Sequence, residues 1–163
     1  MQRDHREQLS LSWQANADAW TAAVRERRIE SRHLVTDAAI VQAILALAPT
    51  RVLDLGCGEG WLCRGLAEHG IEAVGVDASA PLIAVARQAG CPRAQYRVCG
   101  YAELESQAAQ LGRFDLLVCN FALLEDPLAP TLNALHGLLA AGGRLLIQTL
   151  HPWRACHDAS YRD

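Results

Sequence analysis

No apolar run in this chain approaches the roughly 20 residues that a membrane-spanning helix needs, so no membrane segment is expected. The N-terminal stretch Met1-Gln2-Arg3-Asp4-His5-Arg6-Glu7 is charged and lacks an apolar core, which argues against a secretion signal and for the cytoplasm. Basic charge is nowhere concentrated. Lys+Arg number 15 against 18 Asp+Glu, for a net charge of −3, and glutamates dilute the densest basic stretch, Arg25-Glu26-Arg27-Arg28-Ile29-Glu30-Ser31-Arg32. A solvated helix end is expected there, and no nucleic-acid partner. No Cys-x-x-Cys pair occurs among Cys57, Cys63, Cys91, Cys99, Cys119 and Cys156, several of which fall inside apolar runs. Buried thiols in a reducing compartment are expected, and no metal site. A P-loop is also absent, because no Gly-Lys-Ser/Thr follows a glycine-rich turn.

What is present suits one globular domain: 163 residues, 51% hydrophobic and 20% charged. Trp13, Ala17, Trp20 and Val24 recur at helical spacing. Thr36 looks like the N-cap of a second helix bearing Ile40, Val41, Ile44, Leu45 and Leu47, ended by Pro49. Arg51–Leu55, Glu72–Asp77, 95–99, 114–119 and 144–149 read as five buried strands. Helices are expected over 61–69, from Ser79 to Ala89, over 104–111, and from Pro130 with Leu132, Leu135, Leu138 and Leu139 inward. Gly70 and Gly90 close two of them, and Pro81 lies in a first turn. Strands that are nearly continuous apolar runs, alternating with helices, demand a parallel sheet covered on both faces. The expected division is an N-terminal helix over 1–35, a core over 36–150 and a tail over 151–163.

The segment Leu53-Asp54-Leu55-Gly56-Cys57-Gly58-Glu59-Gly60-Trp61 carries most of the functional information. A strand entering a glycine-rich turn and then a helix brings backbone close to a ligand at the strand's carboxyl end. A dinucleotide fingerprint would need a third glycine where Trp61 stands, so a dehydrogenase is disfavoured. Asp77 ends the second strand, placed to accept hydrogen bonds from ribose hydroxyls.

Over residues 34–150 the chain resembles class I, Rossmann-like S-adenosylmethionine-dependent methyltransferases. The glycine segment matches their first motif and Val74-Gly75-Val76-Asp77-Ala78-Ser79 their second. Phe114-Asp115-Leu116-Leu117-Val118-Cys119-Asn120 matches the fourth-strand motif, and Gly142-Gly143-Arg144-Leu145-Leu146-Ile147 the fifth. The resemblance implies a three-layer α/β core with five parallel strands in the order 3-2-1-4-5, with the final two-strand hairpin missing. It implies S-adenosylmethionine as cofactor, with its methionine end over Gly56 and Gly58, ribose on Asp77 and adenine near Gly100, Tyr101 and Ala102; Cys57, Gly60 and Ala78 are counted with them as cofactor-binding residues. Tyr101 replaces the aspartate common at its position; it either meets adenine or points to solvent.

Other positions keep two readings each. Asp54 is expected to cap the turn, and Trp61 either walls the methionyl pocket or packs its helix. Asn120, beside Phe121, either orients the sulfonium end or caps a turn. The leading helix, with Trp13, Asn16, Ala17 and Trp20, acts as a lid or as plain core. Arg32 pairs with the methionine carboxylate or lies on the surface. His151, before Pro152 and Trp153, is a general base or a rim residue. No catalytic residue is assigned. The expected activity is methyl transfer to a small-molecule acceptor; the alternative is a non-catalytic protein that binds the cofactor or pairs with another chain. The segment after the fifth strand is too short for the usual hairpin, which suggests a shortened paralogue or a fragment with reduced turnover. An uncovered fifth strand would invite a homodimer.

Overall fold

Burial is deepest in the three inner strands, while the third and fifth, at the sheet edges, are only partly buried, against the expectation of five buried strands. The computed structural model of the protein describes residues 5–124 and 127–151. β1 (Arg51–Leu55) runs through the middle, and Val52, Leu53, Asp54 and Leu55 are all buried. It is flanked by β2 (Glu72–Asp77) and β4 (Phe114–Asn120), and these in turn by β3 (Ala94–Val98) and β5 (Leu139–Gln148). All neighbours pair in parallel, in the order β3-β2-β1-β4-β5. The fold class is thus the one expected.

Because side chains alternate across a strand, consecutive residues feed opposite cores. Val52, Leu116 and Val118 pack with α3 (Asp37–Ala46), α4 (Trp61–Glu68) and α5 (Ala80–Gln88), through Ile40, Ile44, Leu62, Leu66 and Ile83. Leu53, Leu55, Val74 and Leu117 face α6 (Leu104–Leu111) and α7 (Ala129–Leu138), through Leu104, Leu111, Leu135 and Leu138. Each such side chain contributes about 1.5–3 kcal/mol by leaving water. Ser79 caps α5, its hydroxyl accepting from the Leu82 N–H at 3.5 Å, with Pro81 in the first turn.

Four local expectations need correction. The leading helix is two helices, α1 (His5–Ala15) and α2 (Ala17–Arg25), broken at Asn16 (φ −102°, ψ 8°). Its side-chain amide donates to the Ser12 carbonyl at 2.8 Å, a local bond that competes with helix continuation. Thr36 caps nothing: a five-residue π-helical turn, Arg32–Thr36, already leads into α3, and Thr36 is itself helical. Leu132 is exposed, because the buried stripe of α7 runs through Thr131, Leu135 and Leu138. β5 begins at Leu139 rather than Arg144. Phe114 pairs with Leu139 but Leu116 with Arg144, so Ala140–Gly143 forms a bulge. A Cβ on Gly143 would lie 2.9 Å from the Phe114 carbonyl.

Among the described residues the outer edge of β5 pairs with no strand, and Ile147 on it is exposed. No described helix is long and apolar enough to cross a membrane. The expected tail residues 152–163, with Pro152 and Trp153, lie outside the described residues.

Candidate functional site

At the carboxyl ends of β1, β2 and β4 the sheet opens into a cavity of about 650 Å³. Three glycines with left-handed φ, Gly56 (70°), Gly58 (57°) and Gly60 (84°), turn the chain from β1 into α4. The loop is held from the neighbouring strand. The Gly56 and Cys57 N–H groups both donate to the Val76 carbonyl, at 2.8 and 3.0 Å. The Gly58 N–H donates to Asp77 Oδ2 at 2.9 Å, and the Ser79 N–H to Asp77 Oδ1 at 2.8 Å. Two fixed donors orient the Asp77 carboxylate, while burial, the larger effect, raises its pKa.

Asp54 does not cap the turn, because the Gly56, Cys57 and Gly58 N–H groups are taken by Val76 and Asp77 and that of Gly60 by the Cys57 carbonyl. It is buried on the cavity wall, and its one described hydrogen bond comes from the Cys63 thiol, 3.6 Å from Oδ2. Burial lifts its pKa to about 7; the Cys63 bond opposes this, the Asp77 charge adds to it, and Arg32 opposes it. Cys57 and Cys63 are buried thiols, pushed well above the ordinary thiol range, again mainly by burial.

The far wall comes from the N-terminal region. Trp13 and Trp20 meet edge to face, with ring centroids 5.2 Å apart. The Arg32 guanidinium lies 5.7 Å from the Trp20 centroid and 5.0 Å from that of Trp61. Its Nε donates to Asp37 Oδ1 at 3.0 Å, yet Nη2 is buried without a partner among the described residues. Asn120 Oδ1 is likewise buried and unpartnered. Beyond it, Phe121 adopts φ 54° and donates its N–H to the Gln148 carbonyl at 2.8 Å. The Tyr101 hydroxyl donates to the Ala122 carbonyl at 2.9 Å, tying the loop after β3 to the loop after β4.

Arg32, Gly56, Cys57, Gly58, Asp77, Ala78, Gly100, Tyr101, Ala102, Asn120 and Phe121 all line this one cavity, as do Trp13, Trp20 and Trp61. Gly60 does not. Its carbonyl accepts from the Tyr96 hydroxyl at 3.2 Å, and an added Cβ would lie 2.6 Å from that ring, so it shapes the turn from behind. His151 is exposed and is not among the lining residues. Among the described residues no group of His, Cys, Asp and Glu is placed to hold a metal ion.

Sequence reasoning missed Glu59 and Tyr96. The Glu59 side chain is 1% exposed and is bound by Arg25 from α2 and Arg64 from α4. Its signal was available: a glutamate between two glycines of a buried loop has to be paired with a cation.

A parallel sheet in this order, with a left-handed glycine loop after its central strand and an acidic residue ending the next, defines a Rossmann-like ligand-binding domain. Residues 52–143 match the family described as methyltransferase domain, which is more than half of the chain. The chain belongs to the class I, Rossmann-like methyltransferase family. It is 37% identical over 116 residues to a ubiquinone biosynthesis O-methyltransferase of Xanthomonas oryzae pv. oryzae, covering 68% of this chain and 47% of that protein. The chain therefore spans about half the length of the curated relatives it matches. A TehB-like SAM-dependent methyltransferase from Corynebacterium glutamicum superposes with a TM-score of 0.64 at 28% identity, over 82% of this chain and 72% of that one. An S-adenosylmethionine-dependent methyltransferase from Mesorhizobium loti gives a TM-score of 0.55 at 34% identity, over 68% and 53%.

Proposed function

We propose that the cavity binds S-adenosylmethionine and that the chain serves methyl transfer to a small-molecule acceptor. One observation carries this. An unsatisfied donor, Arg32 Nη2, and an unsatisfied acceptor, Asn120 Oδ1, are buried on the walls of the cavity that also holds Asp77. Buried polar atoms left without partners are costly. The carboxylate and ammonium of an amino acid would satisfy both at once, which suits the methionyl end of the cofactor. When bound, the cofactor supplies an electrophilic methyl group on a positively charged sulfur.

The residues divide the remaining work. Asp77, steadied by two N–H groups, keeps lone pairs for ribose hydroxyls. Gly100, Tyr101 and Ala102 line the side on which adenine would rest, with Tyr101 contributing its ring because its hydroxyl serves Ala122. Trp13, Trp20 and Trp61 exclude water from the reacting centre, which suits transfer from a sulfonium. No residue is assigned as a base; rate enhancement comes chiefly from proximity and orientation. The relatives named for O-methyl transfer support an oxygen acceptor. Free cysteines, several of them buried, support a reducing, cytoplasmic setting.

The test is calorimetric titration with S-adenosylmethionine, S-adenosylhomocysteine and NAD. The first two are expected to bind and NAD to fail. Asp77→Ala should weaken binding by about 1–3 kcal/mol, the cost of hydroxyls left unpaired in a partly buried site. Unchanged affinity in a folded Asp77→Ala protein would remove the assignment.

A further inference from the structure

Glu59 sits between two left-handed glycines of the cofactor loop, with its side chain 1% exposed, and two arginines from different elements hold its carboxylate. The two grips differ. Arg64, one turn into α4, takes both carboxylate oxygens through Nη2, at 2.8 and 2.7 Å, and the Glu59 carbonyl through Nη1 at 2.6 Å. Its side chain is 24% exposed, and it belongs to the element that the loop itself feeds. Arg25 comes from the last turn of α2, makes one bond through Nε at 3.1 Å, and is 47% exposed.

The consequence is a joint with one fixed side and one that can let go. A buried carboxylate abandoned by its only partner is strongly disfavoured. Here Glu59 keeps Arg64 when Arg25 leaves, and Arg25, already 47% exposed, passes into water. Breaking the Arg25 bond therefore costs less than stripping the carboxylate of its last partner, because Arg64 keeps both of its oxygens. The same α2 carries Trp20, whose Nε1 would lie 3.4 Å from a Cβ on Gly58, and Trp20 in turn stacks on Arg32. Whatever holds Arg25 to Glu59 holds that aromatic wall against the loop.

We propose that Arg25–Glu59 is a latch that joins α2 to the glycine loop and sets how long the cofactor stays in the cavity, with Arg64 as its permanent anchor. Arg25 is a positioning residue: it touches no ligand and acts through Trp20 and the loop. This rests on the cofactor reading above. Such a latch is read in the release rate, which its loss should accelerate.

Stopped-flow tryptophan fluorescence with S-adenosylhomocysteine tests it. Arg25→Ala is expected to speed release about tenfold while leaving the association rate within about threefold, since interface changes act mostly on dissociation. In the native chain, release should quicken as salt rises, because the Arg25 side of the pair is 47% exposed, whereas in Arg25→Ala it should not. A folded Arg25→Ala protein that releases ligand at the native rate overturns the latch and leaves the cofactor assignment standing. A native release rate indifferent to salt overturns it without any substitution. Failure of the native chain to bind S-adenosylhomocysteine at all overturns the cofactor reading itself, a distinguishable result.

Discussion

Asp54→Asn is expected to make the fold more stable at pH 8 and less able to hold its cofactor at that pH. Buried Asp54 has a pKa of about 7, against an ordinary value of 3.8. Between those values the folded protein keeps a proton that the unfolded chain has released. Stability contributed by Asp54 is therefore fully present below about pH 4 and is lost as pH rises toward 7. The gap of about three units corresponds to roughly 4 kcal/mol above pH 7. Asparagine removes that loss but leaves a buried amide short of acceptors, which costs about 1–3 kcal/mol. The net expectation is a gain of about 2 kcal/mol at pH 8, a small deficit at pH 5, and a flatter stability profile between them. Urea unfolding at the two pH values reads this directly. Equal slopes in both proteins would mean that Asp54 is ionised throughout. The native residue is expected to have a compensating use. Ionised Asp54 lines the cavity and would face the positive charges of a sulfonium and an ammonium group, so native affinity should rise from pH 6 to 8 and that of Asp54→Asn should not. A destabilising charge kept at a binding site is a common exchange of stability for function.

The sheet was legible from sequence because its signal is local and strong. Apolar strands such as Val52–Leu55 and Leu116–Cys119 end at glycines or at polar residues, and chain order then leaves few topologies for a parallel sheet. Asp77 was legible for the same reason, as the polar end of an apolar strand. What escaped depends on partners distant in sequence. Arg25 and Glu59 are 34 residues apart, and Tyr96 reaches Gly60 across 36. No periodicity announces either pairing. Thr36 failed as a cap because cap rules presume a non-helical residue before the helix, and here a π-helical turn precedes it. Asp54 was misread because the sequence shows a carboxylate beside a turn but not that Val76 and Asp77 already take the turn's donors. The bulge in β5 was hidden by Gly142-Gly143, which reads as a turn into the strand when Leu139 has already begun it.

Gly56→Ala is expected to be the most damaging single-methyl substitution in the site. Gly56 has φ 70°, where an L side chain costs about 1–2 kcal/mol. The added Cβ would also lie 2.6 Å from the Ala122 Cβ and 3.3 Å from the Tyr101 hydroxyl. Neither neighbour can retreat freely. The Ala122 carbonyl holds the Tyr101 hydroxyl, and Phe121 before it is fixed in a left-handed conformation with its N–H on Gln148. Gly56 is itself tied to Val76. The loops after β1 and β4 must therefore part, adding about 1–3 kcal/mol of overpacking to the strain. The total, about 3 kcal/mol, should lower the melting temperature by roughly 6–12 °C in a chain of this size. Because the parting widens the cavity floor between Gly56 and Asn120, affinity for S-adenosylhomocysteine should fall at least about tenfold, or 1.4 kcal/mol. Gly70→Ala supplies the comparison. Gly70 has a similar φ of 81°, but an added Cβ there has no neighbour within 4 Å, so only the backbone strain remains. Melting curves of the two variants separate strain from collision: Gly70→Ala should lose only the strain, about 1–2 kcal/mol, and bind ligand normally. Equal losses in both would show that the loops after β1 and β4 yield to the extra methyl, and that Ala122 is not held as firmly as its hydrogen bonds imply.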